Sequence, residues 1–166
     1  KLMQNGTLNG TPAEEILAFG KDVNKLMMAN SALNNVLDNA KRKVAALRKA
    51  LVVVDSQNDS LFNKIYQVNR NLINLERKLF GSKSKREVGQ KNNPTISGRL
   101  WNAMGGVQNN TYGPTQTQRK SYDIAKAEFS IVKTELEEIV NNQIPELEKQ
   151  TMEMGAPWIE GQPIPE

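Results

Sequence analysis

The sequence contains no cysteine and no histidine. Their absence excludes disulfide staples, thiol nucleophiles, Ser-His triads, the usual structural zinc sites and imidazole acid-base chemistry together. Any enzyme built from it has only carboxylate, lysine, tyrosine and hydroxyl groups to work with. Aromatic residues make up just 5% of the chain, which favours a thin aliphatic seam between helices over a broad globular core. No apolar run approaches the roughly eighteen residues of a membrane-spanning helix. The lack of cysteine leaves the redox compartment open, because a long helical bundle needs no disulfide in either setting.

What is present is one long helical period, around which the chain is organised. Positions 16, 19, 23, 26, 30, 33, 37, 40, 44, 47, 51 and 54 alternate steps of three and four without a slip, and all but Asn30 are apolar. Such a repeat predicts a helix with a narrow coiled-coil-like seam, about 58 Å long at about 1.5 Å per residue. That seam must be covered by other helices. Asn30, its single polar member, is read either as lying at a wet, splayed spot or as buried and hydrogen-bonded to a neighbouring helix, fixing register at some cost in stability.

The formal net charge of +4 conceals an asymmetry. Residues 1–120 hold 19 Lys/Arg against 8 Asp/Glu, whereas residues 121–166 hold 3 against 10. Opposite signs suggest that the last helix lies against the earlier ones with complementary rims, each exposed pair contributing only about 0.2–1 kcal/mol.

Residues 1–11 read as a disordered lead-in. Thr11-Pro12-Ala13-Glu14 is a helix start, with a capping threonine, proline in the first turn and glutamate three residues after the cap. Helix one is expected over about 12–54. The polar stretch Asp55 to Ser60 is expected to break it, although the heptad phase carries through. Helix two, about 60–80, has the seam Leu61, Ile65, Val68, Leu72, Leu75 and Leu79, and stops at Gly81.

Residues 81–115 read as a long loop. Its basic part, Ser82 to Asn93 with Lys83, Lys85, Arg86 and Lys91, is taken as solvated and mobile, and polyanion or membrane-surface binding through Arg77 to Lys91 is the other reading. Within the loop, Ile96 to Met104 is expected to form a short helix closed by Gly105-Gly106. Arg99, Trp101 and Tyr112 are the side chains best suited to stack on a ligand or partner, and the more ordinary reading has these aromatics plugging a bundle end. Helix three, about 116–154, starts at Thr115 or Thr117 with the seam Tyr122, Ala125, Phe129, Val132, Leu136 and Ile139, then continues loosely through Gln143 and Leu147. Pro145 predicts a kink or break near Gln143. Trp158, at the start of a Pro-rich tail over 159–166, is expected to fold back onto the helices.

These readings predict an all-α fold: an elongated antiparallel three-helix bundle over 12–158, a single domain, with a long loop and a short extra helix between helices two and three. Part of helix one would stay uncovered by helix two, so helix three or a second copy of the chain in a homodimer must cover it.

Pro94-Thr95-Ile96, Gly113-Pro114-Thr115 through Arg119, Tyr122 with Ala125, Glu128 and Phe129, Ile144-Pro145-Glu146-Leu147, and Gly155-Ala156-Pro157-Trp158 with Gly161 form a further pattern. It resembles the C-terminal helical region of large secreted bacterial proteins that carry a sortilin-like, BNR-repeat (sialidase-type) β-propeller and are often labelled glycosyl hydrolases. The loop reads Tyr112-Gly113-Pro114-Thr115 where that family has Ala-Pro-Thr. The resemblance implies an extracytoplasmic accessory domain at the C-terminal end of a propeller protein. It transfers no catalytic residue, because any glycosidic activity would belong to the propeller. A start at Lys1 with no signal segment fits an excised or processed piece with its export signal upstream.

The expected function is thus a non-catalytic domain docking on its propeller or on another protein. No cofactor, metal or nucleic acid is expected, and Arg99, Trp101, Tyr112 and Trp158 are the candidate contacts. The competing enzyme reading would need two carboxyls flanking a cleft. Glu135, Glu137 and Glu138 are the closely spaced acids, and one helix carrying them offers a solvated rim instead.

Overall fold

The computed structural model describes residues 9–54, 59–160 and 162. The expected helix break at 55–58, most of the lead-in, and the tail residues 161 and 163–166 lie outside the described residues. Among those described there are only helices, turns and bends: α1 (Ala13–Val53), α2 (Asp59–Phe80), α3 (Lys83–Glu87), α4 (Ile96–Gln108), α5 (Gln116–Glu138), a π turn (Ile139–Gln143) and α6 (Ile144–Glu153). The last three are contiguous. The three long helical segments fall within one or two residues of expectation, and the seam explains why. Of the twelve α1 seam positions ten are buried and two, Leu26 and Val54, are partly buried; all six α2 seam positions are buried.

The chain divides into two compact units, residues 1–32 with 77–131 and residues 33–76 with 132–166. In the first, Phe19 and Val23 of α1 pack with Ala103 and Met104 of α4, and Met27, Val107 and Tyr122 close over them. Phe19 and Tyr122 meet edge to face with ring centres 5.4 Å apart, a geometry favoured by the ring quadrupoles. Gly20 makes room for the contact, since a Cβ there would lie 3.0 Å from Val107 Cγ1. Just before α1, Thr11 N donates to Tyr112 O at 2.9 Å.

Three local expectations for this unit need correction. First, the residues after Gly81 are not all loop: Ser82 accepts a hydrogen bond from Lys85 N and starts the five-residue α3. Asn92 then bonds both the N–H and the carbonyl of Ser82, pinning the base of the segment. Lys83 to Gln90 is solvent-exposed throughout, as expected. Second, α4 runs four residues past Met104. The two glycines read as a stop are inside it, and Gly106 is buried because Pro114 and Gln118 pack on it. Third, Trp101 plugs nothing: it is 64% exposed, and α4 buries Ile96, Leu100, Ala103 and Met104 instead, while Tyr112 is partly buried. Thr115 and Gln118 form a reciprocal capping box at the start of α5, with Gln118 N donating to Thr115 Oγ1 and Thr115 N donating to Gln118 Oε1.

In the second unit the core is aliphatic, built from Leu37, Val44, Leu47 and Leu51 of α1, Leu61, Ile65 and Leu72 of α2, and Val132, Leu136, Ile139, Ile144 and Leu147. Lys41 pairs with Glu76 at 2.8 Å and Lys43 with Glu148 at 2.9 Å, while Lys64 donates to Gln150 at 3.2 Å. The irregularity expected near Gln143 takes the form of a π segment between α5 and α6. The chain stays helical but widens into the π turn, with Ile144 N bonding to Ile139 O. One extra residue in a turn moves the seam from Ile139 to Ile144, a step of five, after which Leu147 and Thr151 continue it at steps of three and four. Gln143, placed on the seam by strict repetition, is displaced from it. Gly155, with φ +75°, ends the helix as expected.

Candidate interaction surfaces

The first candidate surface is the outer face of α4 in the first unit. Thr95 caps this helix by accepting from Gly98 N at 3.0 Å. Burial of Ile96, Leu100 and Ala103 turns Trp101 outward, and the positions one turn to either side of it are Gly98 and Gly105. A Cβ at Gly105 would meet nothing nearer than Asn109 Nδ2 at 3.9 Å, so the indole stands beside bare helix backbone.

Arg99 is held on the neighbouring flank and is largely occupied. Its Nε lies 3.4 Å from Glu128 Oε2, close enough for ion pairing but without hydrogen-bond alignment. Its carbonyl accepts from Ser121 Oγ, which in turn accepts from Asn102 Nδ2. Tyr112 is partly buried, and its backbone carbonyl is used by Thr11. Sequence reasoning therefore grouped three residues of which the structure leaves one, Trp101, with a ring open to solvent. Trp158 is placed in the other unit. It is 51% exposed, and its Nε1 donates to Gln162 O at 3.3 Å, within a small turn that also uses Ile159 N and Gln162 Oε1.

No family model, curated protein or solved structure matches this chain. The surfaces must be interpreted from their own chemistry. Among the described residues no three His, Cys, Asp or Glu side chains converge as a metal site, and no helix is long and apolar enough to cross a membrane. Glu137 reaches Lys133 at 3.6 Å with both side chains more than half exposed, and Glu138 accepts from Asn142. The Tyr122 hydroxyl has its pKa raised from the ordinary 10.0, first by burial and then by the negative charges of Asp22 and Asp123. Its ring belongs to the core contact with Phe19.

Two grooves in the second unit were not foreseen from the sequence. One, about 640 Å³, is lined by Val44, Arg48, Lys49 and Val52 of α1 and by Phe62 and Tyr66 of α2 among others. The second, about 720 Å³, runs beside the π turn and is lined by the amides of Asn63, Gln67, Asn71 and Gln143 together with Lys64 and Glu146. The signal for the first was available: Val52, Phe62 and Tyr66 are large apolar side chains off the seams. Without coordinates they carry no indication that they meet.

Proposed function

We propose that the chain is a non-catalytic helical accessory domain of a secreted propeller protein, docking on that propeller or on a partner protein. The observation that carries this reading is the set of large aromatic side chains facing outward, Trp101 and Tyr66 on helices at 64% and 56% exposure and Trp158 in the tail turn at 51%. Exposed aromatic rings of this kind are what partner surfaces most often bury as anchors. The carboxylates, by contrast, lie on exposed helix faces beside lysines and amides, an arrangement suited to solubility.

In this reading the long helices form an elongated antiparallel three-helix bundle. The pairing of Lys41 with Glu76 and the shared lining of residues 44–52 with 62–69 support opposite directions for α1 and α2. Secretion and the propeller context rest on the resemblance at residues 94–98 and 113–161. The test is cross-linking of the chain with the propeller portion of its reading frame, or within the full-length protein. Cross-links from lysines of this chain to the propeller or to a second protein are expected; a chain that cross-links only to itself refutes docking. A second reading, a contribution to carbohydrate binding, is favoured by the amide-lined groove, whose groups both donate to and accept from hydroxyls. It predicts saccharide-induced shifts of the Asn63, Gln67 and Asn71 side-chain amide resonances.

A further inference from the structure

The groove along α1 and α2 in the second unit deepens the docking reading and rests on it. Its floor is apolar: Val44 and Ile65 are each 1% exposed. Above them stand Val52 and Tyr66, which are 67% and 56% exposed, with Phe62 partly buried. The rim is basic. Among the described residues no aspartate or glutamate lines the groove, and Arg48 and Lys49 pair with no acid. Lys41 and Lys43, earlier on α1, differ in being matched to Glu76 and Glu148. Arg70 adds a third positive charge, its guanidinium 5.9 Å from the Tyr66 ring centre.

The spacing of the lining residues says what shape fits. Ala45, Arg48 and Val52 recur at three- and four-residue steps on α1, as do Phe62, Tyr66 and Asn69 on α2. Two such rows side by side form the holes into which the side chains of a further helix interdigitate. From Val44 to Val52 the recess is about 12 Å long at about 1.5 Å per residue, or two to three helical turns. We propose that this groove binds an acidic amphipathic helix of a partner protein, with its apolar face on Val52, Phe62 and Tyr66 and its carboxylates on Arg48, Lys49 and Arg70. A lipid surface is the poorer match, because the apolar floor is recessed between the basic side chains and does not project.

The test titrates the isotope-labelled 166-residue chain with a synthetic helix of about eighteen residues, leucine on one face and glutamate on the other. Amide shifts confined to residues 44–54 and 59–70 are expected. The variant R48E/K49E, altered only at exposed positions, should weaken binding by tenfold or more, and a lysine version of the peptide should bind that variant better than it binds the natural chain. Equal binding of a scrambled peptide overturns the proposal, as does indifference to R48E/K49E. So does no response to the peptide, a response to phosphatidylserine vesicles in its place, or concentration-dependent self-association through the same residues. Cross-links to a partner at other surfaces, together with a silent groove, overturn this inference alone; an absence of cross-links refutes docking itself.

Discussion

Replacing Asn30 with leucine should make the chain more stable. Asn30 is 6% exposed, its Nδ2 donates to Ser97 Oγ at 3.0 Å, and its Oδ1 is buried with no hydrogen-bond donor among the described residues. A buried acceptor left unmatched costs about 1–3 kcal/mol, whereas the amide-to-hydroxyl bond contributes about 0.5–1.5 kcal/mol. Leucine removes the unmatched oxygen and forfeits that bond, while Ser97, partly exposed, keeps access to water. It also adds apolar burial on a seam between Leu26 and Leu33, with the same branching at Cγ but bulkier terminal methyls that the neighbouring side chains must accommodate. The net expectation is a gain of about 1–2 kcal/mol, or about 2–8 °C in Tm at about 2–4 °C per kcal/mol for a chain of this size. Circular dichroism melts and urea titrations with an unchanged m-value measure it. A lower Tm would show that the amide is better satisfied than the geometry indicates and would refute the argument. Under the register reading, the same substitution should leave the chain more stable but less uniquely packed, visible as broadened side-chain resonances.

Adjacent glycines on α4 should respond with opposite signs. Gly105→Ala places a methyl in open space and should stabilise by about 0.5–1 kcal/mol, whereas Gly106→Ala puts its Cβ 3.0 Å from Pro114 Cα and should destabilise by about 1–3 kcal/mol in urea unfolding. Tyr122 has a folded-state pKa above its unfolded value, so its contribution is intact below pH 10 and is lost as pH rises through the folded value. Stability of the natural chain should therefore fall more steeply above pH 10 than that of Tyr122→Phe. Deleting Asn141 together with Pro145→Ala should turn the π turn into regular helix and keep Ile144, Leu147 and Thr151 on the seam. Deleting Lys133 instead rotates residues 134–138 off it, and only the second deletion should produce a molten, dye-binding chain.

Much of the helical frame was legible because aliphatic spacing survives without coordinates. Leu37, Leu47 and Leu72 are buried where the repeat places them. Gly81 and Gly155 stop their helices through positive φ, which follows from residue type alone. Local rules failed where packing between distant segments decides. Gly105-Gly106 has the composition of a terminator, yet Gln118 and Pro114 press against Gly106 and keep the helix going. The step from Ile139 to Ile144 was hidden because a three-four template has no place for a five, although the polar Gln143 on an otherwise apolar row was the visible misfit. Solvent exposure of an aromatic ring cannot be read from its neighbours in sequence, so Trp101, Tyr112 and Trp158 stand together as candidate contacts. They differ because helix phase turns Trp101 outward, the Thr11 contact occupies Tyr112, and the tail holds Trp158 in a turn of its own.

The widened turn at 139–143 has a wider implication for how this chain tolerates change. A surplus residue stored in one loop of backbone behaves like slack in a cable: it can be taken up elsewhere without cutting anything. Single-residue gains or losses within the π turn itself, residues 139–143, should therefore be absorbed by that slack, while the same events in the tightly periodic α1, which has none, would throw every later contact out of phase.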